Sequence, residues 1–291
     1  MSYWSAMAGS GENFEGAPRE ILPGVRVYAN PTEVARAAAR LFVDYAWQAI
    51  AKDGQFLVAL SGGSTPQLLF GFLASDEFRG QVDWAKVQIF WGDERAVPPT
   101  HPNSNYGTAR RELLVRAPIP EGNVHRMEAE KPNIGRAAHE YEEVLRKYLE
   151  LDDRGFPRFH LIFLGMGPDG HTASLFPGAR VTQQTSRWVS TPMVAKLNAR
   201  RMTLTLPVLN AAHRVLFLVV GAEKAETLRV VLEGKADPPL PAQMVQPREG
   251  LRLFLVDEAA AALLAPAGPG GPAPPKFKPA STSRGRPGRR S

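Results

Sequence analysis

The sequence contains no cysteine. That excludes thiol nucleophiles, cysteine-based zinc sites and a disulfide framework, and it points to a reducing cytoplasm. Long apolar runs are missing too: the longest, Val215 to Val220, falls far short of the ~18 residues that a membrane span needs. The opening MSYWSAMAGSGENFEGAPRE has neither the basic start nor the apolar stretch of a signal peptide, so export is not expected. Excess charge is absent from most of the chain. The formal net charge is +6, and Lys276, Lys278, Arg284, Arg286, Arg289 and Arg290 supply all of it, leaving 29 basic and 29 acidic side chains elsewhere. Nucleic-acid binding is therefore not expected of the body of the protein.

What is present is a chain of 291 residues, 44% of them apolar, long enough for one sizeable core. The tail, residues 265–291, is a Pro/Gly/Ser segment that buries too little apolar surface to offset its ordering entropy, and it reads as a disordered basic extension. Residues 1–20 read as an N-terminal extension, and 21–264 as a single domain without an internal linker. Within that domain, β-rich apolar runs alternate with amphipathic segments, which is α/β wiring.

Strands are predicted at Val25 to Ala29, Phe56 to Leu60, Val87 to Trp91, Phe159 to Leu164, Arg201 to Leu206, Arg214 to Val220 and Leu251 to Val256. Several are apolar almost throughout, which predicts a Rossmann-like, doubly wound and mostly parallel sheet with helices on both faces. Asn30 and Pro31 mark a helix start, with Val34, Ala38, Leu41, Tyr45 and Ala49 on its apolar face. Further helices are predicted over Ile134 to Leu149, over Ala222 to Leu232 and from Asp257 onward. Sheets of this kind bind ligands beyond the carboxyl ends of their strands.

Three loops at such ends are unusual. Ser61, Gly62, Gly63, Ser64 and Thr65 join a strand to a helix, and their glycines, hydroxyls and free amides suit a phosphate, although a tight turn with an ordinary cap has the same composition. No Gly-Lys-Ser/Thr follows, so it is not a nucleoside-triphosphate loop. Asp93, Glu94 and Arg95 follow the next strand; Arg95 suits an anion and Asp93 suits orienting it or a nearby base, a solvated charge cluster being the alternative. Gly165 to Gly170 spells G-x-G-x-x-G, yet no acidic residue lies between Asp169 and Glu223 to hold a ribose, so a dinucleotide cofactor is not expected. His171, just after Asp169, is a candidate general base or a structural histidine. His101, His125, His139, His160 and His213 form no ligand-like pairing, so no metal is expected.

Taken together, LALSGGSTPQLLF, FWGDERAVPPTHPNSNYG, LIFLGMGPDGHTASLFPG and AKLNARRMTLTLPVLNAA resemble the 6-phosphogluconolactonase family over Val25 to Leu264. The resemblance implies hydrolysis of 6-phospho-D-glucono-1,5-lactone to 6-phosphogluconate, the second step of the oxidative pentose phosphate pathway, by a cytoplasmic monomer with no cofactor. It implies that His171 is the general base with Asp169 and Asp93 as nearby carboxylates. It also implies that Arg95 and Lys196 hold the 6-phosphate beside Ser61 to Thr65. A glucosamine-6-phosphate deaminase is the nearest alternative, but Gly92 to Arg95 and His171 to Pro177 depart from the D-E-Y and H-I-A-F-N-E-P segments of such enzymes. A sugar-phosphate binder without activity is the other alternative.

Overall fold

In a computed structural model, residues 18–194 and 198–265 of the chain are described; the expectations for residues 1–17, for Lys196 and for the tail from 266 lie outside the described residues. Six apolar strands lie parallel, as their lack of alternation requires. They are β2 (Val25–Tyr28), β3 (Phe56–Leu60), β4 (Val87–Trp91), β6 (Leu161–Gly165), β10 (Arg214–Val219) and β11 (Leu251–Asp257). With β1 (Arg19–Leu22) antiparallel to β2, the sheet order is β1-β2-β11-β10-β6-β3-β4. Strand β1 thus begins at Arg19.

Helix α1 (Pro31–Asp53) begins as predicted: the Asn30 side chain accepts from the Glu33 amide at 3.0 Å, and Gly54 closes it in the left-handed conformation. The connections from β2 and β3 run toward β4, whereas those from β6 and β10 run the other way. Right-handed crossovers in opposite directions place helices on opposite faces of the sheet. The reversal falls between β3 and β6. Their ladder consists of Val58↔Leu161 and Ala59↔Ile162 and stops there although both strands run on, which opens a crevice at their carboxyl ends.

One expected strand is placed differently. The run Arg201 to Leu206 forms β9 (Ala199–Leu204) outside the main sheet, antiparallel to β5 (Asp93–Arg95) and to β7 (Val189–Ser190), with β8 (Met193–Val194) also paired to it. The reason lies in its pattern: Met202 and Leu204 alternate with Arg201 and Thr203, the signature of an antiparallel strand.

The outer edge of β4 is covered. The Tyr141 hydroxyl, on α3 (Ile134–Tyr148), accepts from the Trp91 amide at 3.0 Å and donates to the Trp91 carbonyl at 3.1 Å. The His125 amide donates to the Ile89 carbonyl at 2.8 Å.

Two half-buried histidines should make the fold sensitive to acid. His125 stacks on Phe90 at 4.6 Å, and burial, helped by Lys147, lowers its pKa to about 4. His213 lies 5.8 Å from His160, and burial, then Arg158 and His160, lower its pKa to about 4. Both gain a proton more readily when unfolded, so they contribute stability that is complete above pH ~6.5 and is lost as the pH falls toward 4. The melting temperature should hold from pH 8 to 6.5 and then drop, and the double substitution His125→Gln/His213→Gln should shallow that drop. A slope unchanged by the double substitution would assign acid sensitivity elsewhere.

Candidate active site

At the end of β3 the chain passes through Ser61 and Gly62 into Gly63, whose φ of 113° only glycine adopts comfortably, and then into α2 (Ser64–Leu73). Gly63 caps that helix without a side-chain acceptor, so the first amides of α2 receive no side-chain cap. Gly62 is required by contact rather than by conformation. A Cβ there would stand 1.8 Å from Asn105 Oδ1.

After β4, Gly92 bonds back to Leu60 at 2.8 Å and the chain enters β5, where both Asp93 and Glu94 are buried. Glu94 collects four donors: the amides of Arg95 (2.7 Å), Asn105 (2.8 Å) and Tyr106 (2.8 Å), and the Ser104 hydroxyl (3.0 Å). Burial raises its pKa, with those amides opposing. The 96–104 loop is thereby tied at both ends. Asp93 accepts from the Asn105 amide group at 3.1 Å and from the Ser174 hydroxyl at 2.7 Å. Its second partner belongs to the loop after β6.

That loop is a set of tight turns. The Gly170 amide bonds to Gly167 at 2.9 Å with Gly170 at φ 78°, and the Gly167 amide bonds to His171 at 2.9 Å. The Thr172 hydroxyl donates to the Gly165 carbonyl at 2.8 Å, Ala173 stands at φ 48°, and the Thr227 hydroxyl donates to Pro168 at 2.6 Å. His171 is held on two sides. Its Nδ1 lies 2.5 Å from Asp169 Oδ1, and its ring stacks on Phe176 at 4.3 Å. Burial works to raise the Asp169 carboxyl, but the His171 hydrogen bond and charge prevail and hold it below the usual range. His171 Nε2 makes no hydrogen bond within the described residues, which leaves a ring nitrogen, oriented by a carboxylate, for proton transfer.

Strands β5 and β9 contribute cations. Arg95 Nη1 donates to the Asn103 carbonyl at 2.5 Å, and Arg201 stands directly opposite Arg95 in the β5–β9 ladder. Together with Asn103 and Arg200 they line a cleft of about 270 Å³, close to the ~300 Å³ at which small-molecule sites begin. Its lining does not include His171 or the 61–65 loop. Burial, then the charge of Arg95, lowers the pKa of Arg201, which nevertheless stays charged at neutral pH.

Among the described residues, the buried side-chain polar atoms without a partner are Ser61 Oγ, Trp91 Nε1, Arg95 Nε, Asn105 Oδ1 and Arg201 Nε. Four of them stand at the carboxyl ends of β3 and β4 or on the β5–β9 pair that continues from β4, and the fifth, on Asn105, belongs to a side chain hydrogen-bonded to Asp93 of β5. Buried orphans are costly, and their concentration marks a place built to be filled by a polar ligand.

The expected site residues are thus linked. The 61–65 loop abuts Asn105, Asn105 holds Asp93, and Asp93 holds Ser174, three positions after His171. Sequence reading passed over Glu94, Ser174 and Arg201. The signal for Arg201 was the alternation in RRMTLT, which sets Arg201 and Thr203 on one face.

Residues 29–254 match the model of a family described as glucosamine-6-phosphate isomerases/6-phosphogluconolactonase. The chain is 40% identical over 220 residues to a 6-phosphogluconolactonase of Synechocystis sp., covering 75% of this chain and 89% of that protein. It is 40% identical over 246 residues to a human 6-phosphogluconolactonase, covering 83% and 94%. The solved 6-phosphogluconolactonase of Trypanosoma brucei superposes with a TM-score of 0.77 at 29% identity, covering 84% of this chain and all of that one. A monomeric glucosamine-6-phosphate deaminase shares the fold alone, with a TM-score of 0.70 at 18% identity over 82% of this chain and 99% of that one.

Proposed function

Since this chain belongs to the glucosamine-6-phosphate isomerase/6-phosphogluconolactonase family, we propose that it hydrolyses 6-phospho-D-glucono-1,5-lactone to 6-phosphogluconate, with His171 as general base. The observation that carries the base assignment is the His171–Asp169 pair. Asp169 at 2.5 Å from Nδ1 fixes that nitrogen as the donor and favours the imidazolium that forms, while Nε2 remains to accept a proton.

In this reading Arg95, Lys196 and the Ser61, Gly62, Gly63, Ser64, Thr65 loop hold the phosphate, and that remote binding energy places the lactone carbonyl. His171 Nε2 takes a proton from water, and the resulting hydroxide attacks C1. The tetrahedral oxyanion is stabilised by amides of the glycine loops. Collapse breaks the bond from C1 to the ring oxygen, which receives the proton from His171. Water is consumed, and one ester becomes one acid and one alcohol. Asp93 acts as a positioning residue, because its carboxylate spans Asn105 and Ser174 and so joins the phosphate side of the site to the His171 loop.

We assign this chemistry to residues 21–264, working as a monomer in the cytoplasm without cofactor, metal, membrane or nucleic-acid partner. Among the described residues no helix is long and apolar enough to cross a membrane. The test is a pH-stat assay with freshly generated 6-phosphogluconolactone, corrected for spontaneous opening. Arg95→Ala should raise KM by about 10- to 100-fold with kcat little changed, the size of a lost charge-assisted hydrogen bond. Ammonia release from glucosamine 6-phosphate without lactone hydrolysis would overturn the proposal, and binding of 6-phosphogluconate without turnover would reduce it to a sensor.

A further inference from the structure

We infer that Arg201 is a second phosphate-holding guanidinium and that its pairing with Arg95 sets the preference for a phosphorylated lactone. The inference rests on the lactonase reading for the identity of the substrate, but its physical basis is independent of it. Arg95 and Arg201 face each other across an antiparallel ladder, where opposed side chains stand with Cβ atoms about 5 Å apart and like charges repel. The nearest carboxylates, Asp93 and Glu94, favour the Arg201 charge but form no ion pair with either guanidinium within the described residues. Asp93 is engaged by Asn105 and Ser174, and Glu94 by three amides and the Ser104 hydroxyl.

Neither arginine forms a salt bridge within the described residues, and the Nε of each is buried without a partner. Arg95 spends Nη1 on Asn103, which leaves it the Nε edge; Arg201 makes no side-chain hydrogen bond within the described residues. Two guanidinium edges on one cleft match the oxygens of a doubly charged phosphate, which guanidinium groups bind in bidentate fashion. A purely structural arginine in this position would be expected to reach a carboxylate or a carbonyl.

The experiment compares two substrates in wild type, Arg201→Ala and Arg201→Lys: 6-phosphogluconolactone and unphosphorylated glucono-1,5-lactone. With Arg201→Ala, KM for the phosphorylated lactone should rise about 10- to 100-fold with kcat within a few-fold, while kcat/KM for the unphosphorylated lactone stays unchanged. Arg201→Lys should recover part of the loss, since lysine restores the charge but not the fork. Equal losses on both substrates, or no change on either, would overturn the inference.

A second measurement on the wild-type protein uses inorganic phosphate as probe and follows the Nε–H resonances of Arg95 and Arg201 by NMR. Both should shift together and saturate; an unmoved Arg201 resonance sinks the inference even if a variant fails to fold. If neither lactone is turned over by wild type, the lactonase reading fails alone, and the shared phosphate shift still decides the role of Arg201.

Discussion

Replacing His171 by alanine should lower kcat by about 10²- to 10⁴-fold, the range that a positioned acid–base group contributes, while KM stays within a few-fold of wild type. The split follows from the geometry. His171 lies in the loop after β6 and outside the lining of the arginine cleft, so its removal leaves the anion anchor in place. Calorimetric binding of 6-phosphogluconate to His171→Ala should match wild type, which separates loss of chemistry from loss of the site. Wild-type turnover in the variant would refute the assignment of the base.

Gly167→Ala should come close to that loss while keeping the imidazole. A methyl group at position 167 would stand 2.1 Å from both Cε1 and Nδ1 of His171 and 2.8 Å from Asp169 Oδ1, so either the ring or the carboxylate must move. Gly167 is not among the positive-φ glycines, so alanine itself sits there without backbone strain and the displacement falls on the pair. A shift of about 1 Å in a reacting group can cost roughly 10²-fold in rate. The measurement is kcat alongside the melting temperature. A fall of about 10²-fold in kcat with a melting point within a few degrees of wild type is expected, and full activity would mean that the His171–Asp169 contact is dispensable.

The main sheet was legible because its strands are apolar without alternation, and Asn30-Pro31 and Asp257 punctuate helices as their hydrogen-bonding dictates. The three loops were legible because a doubly wound sheet gathers chemistry at strand ends, and the reversal of the crossovers falls between β3 and β6. The small sheet was not. Asp93 to Arg95 is too short to show a period, and it acquires its strand character from β9, which lies far away in sequence.

For the same reason Arg201 carried no signal as a site residue. Glu94 was missed because a charge after a strand usually reads as solvated. Its burial becomes clear only when the amides of residues 105 and 106 return to it.

The hydroxyl of Tyr141 has a consequence away from the site. A parallel sheet ending in an apolar strand such as β4 exposes a row of amides and carbonyls that another polypeptide can adopt as a template. Here Tyr141 occupies both main-chain groups of Trp91, and residues 124 and 125 lie along Ile89. With those groups occupied, another polypeptide finds no free main-chain partners there, which disfavours intermolecular strand addition along β4.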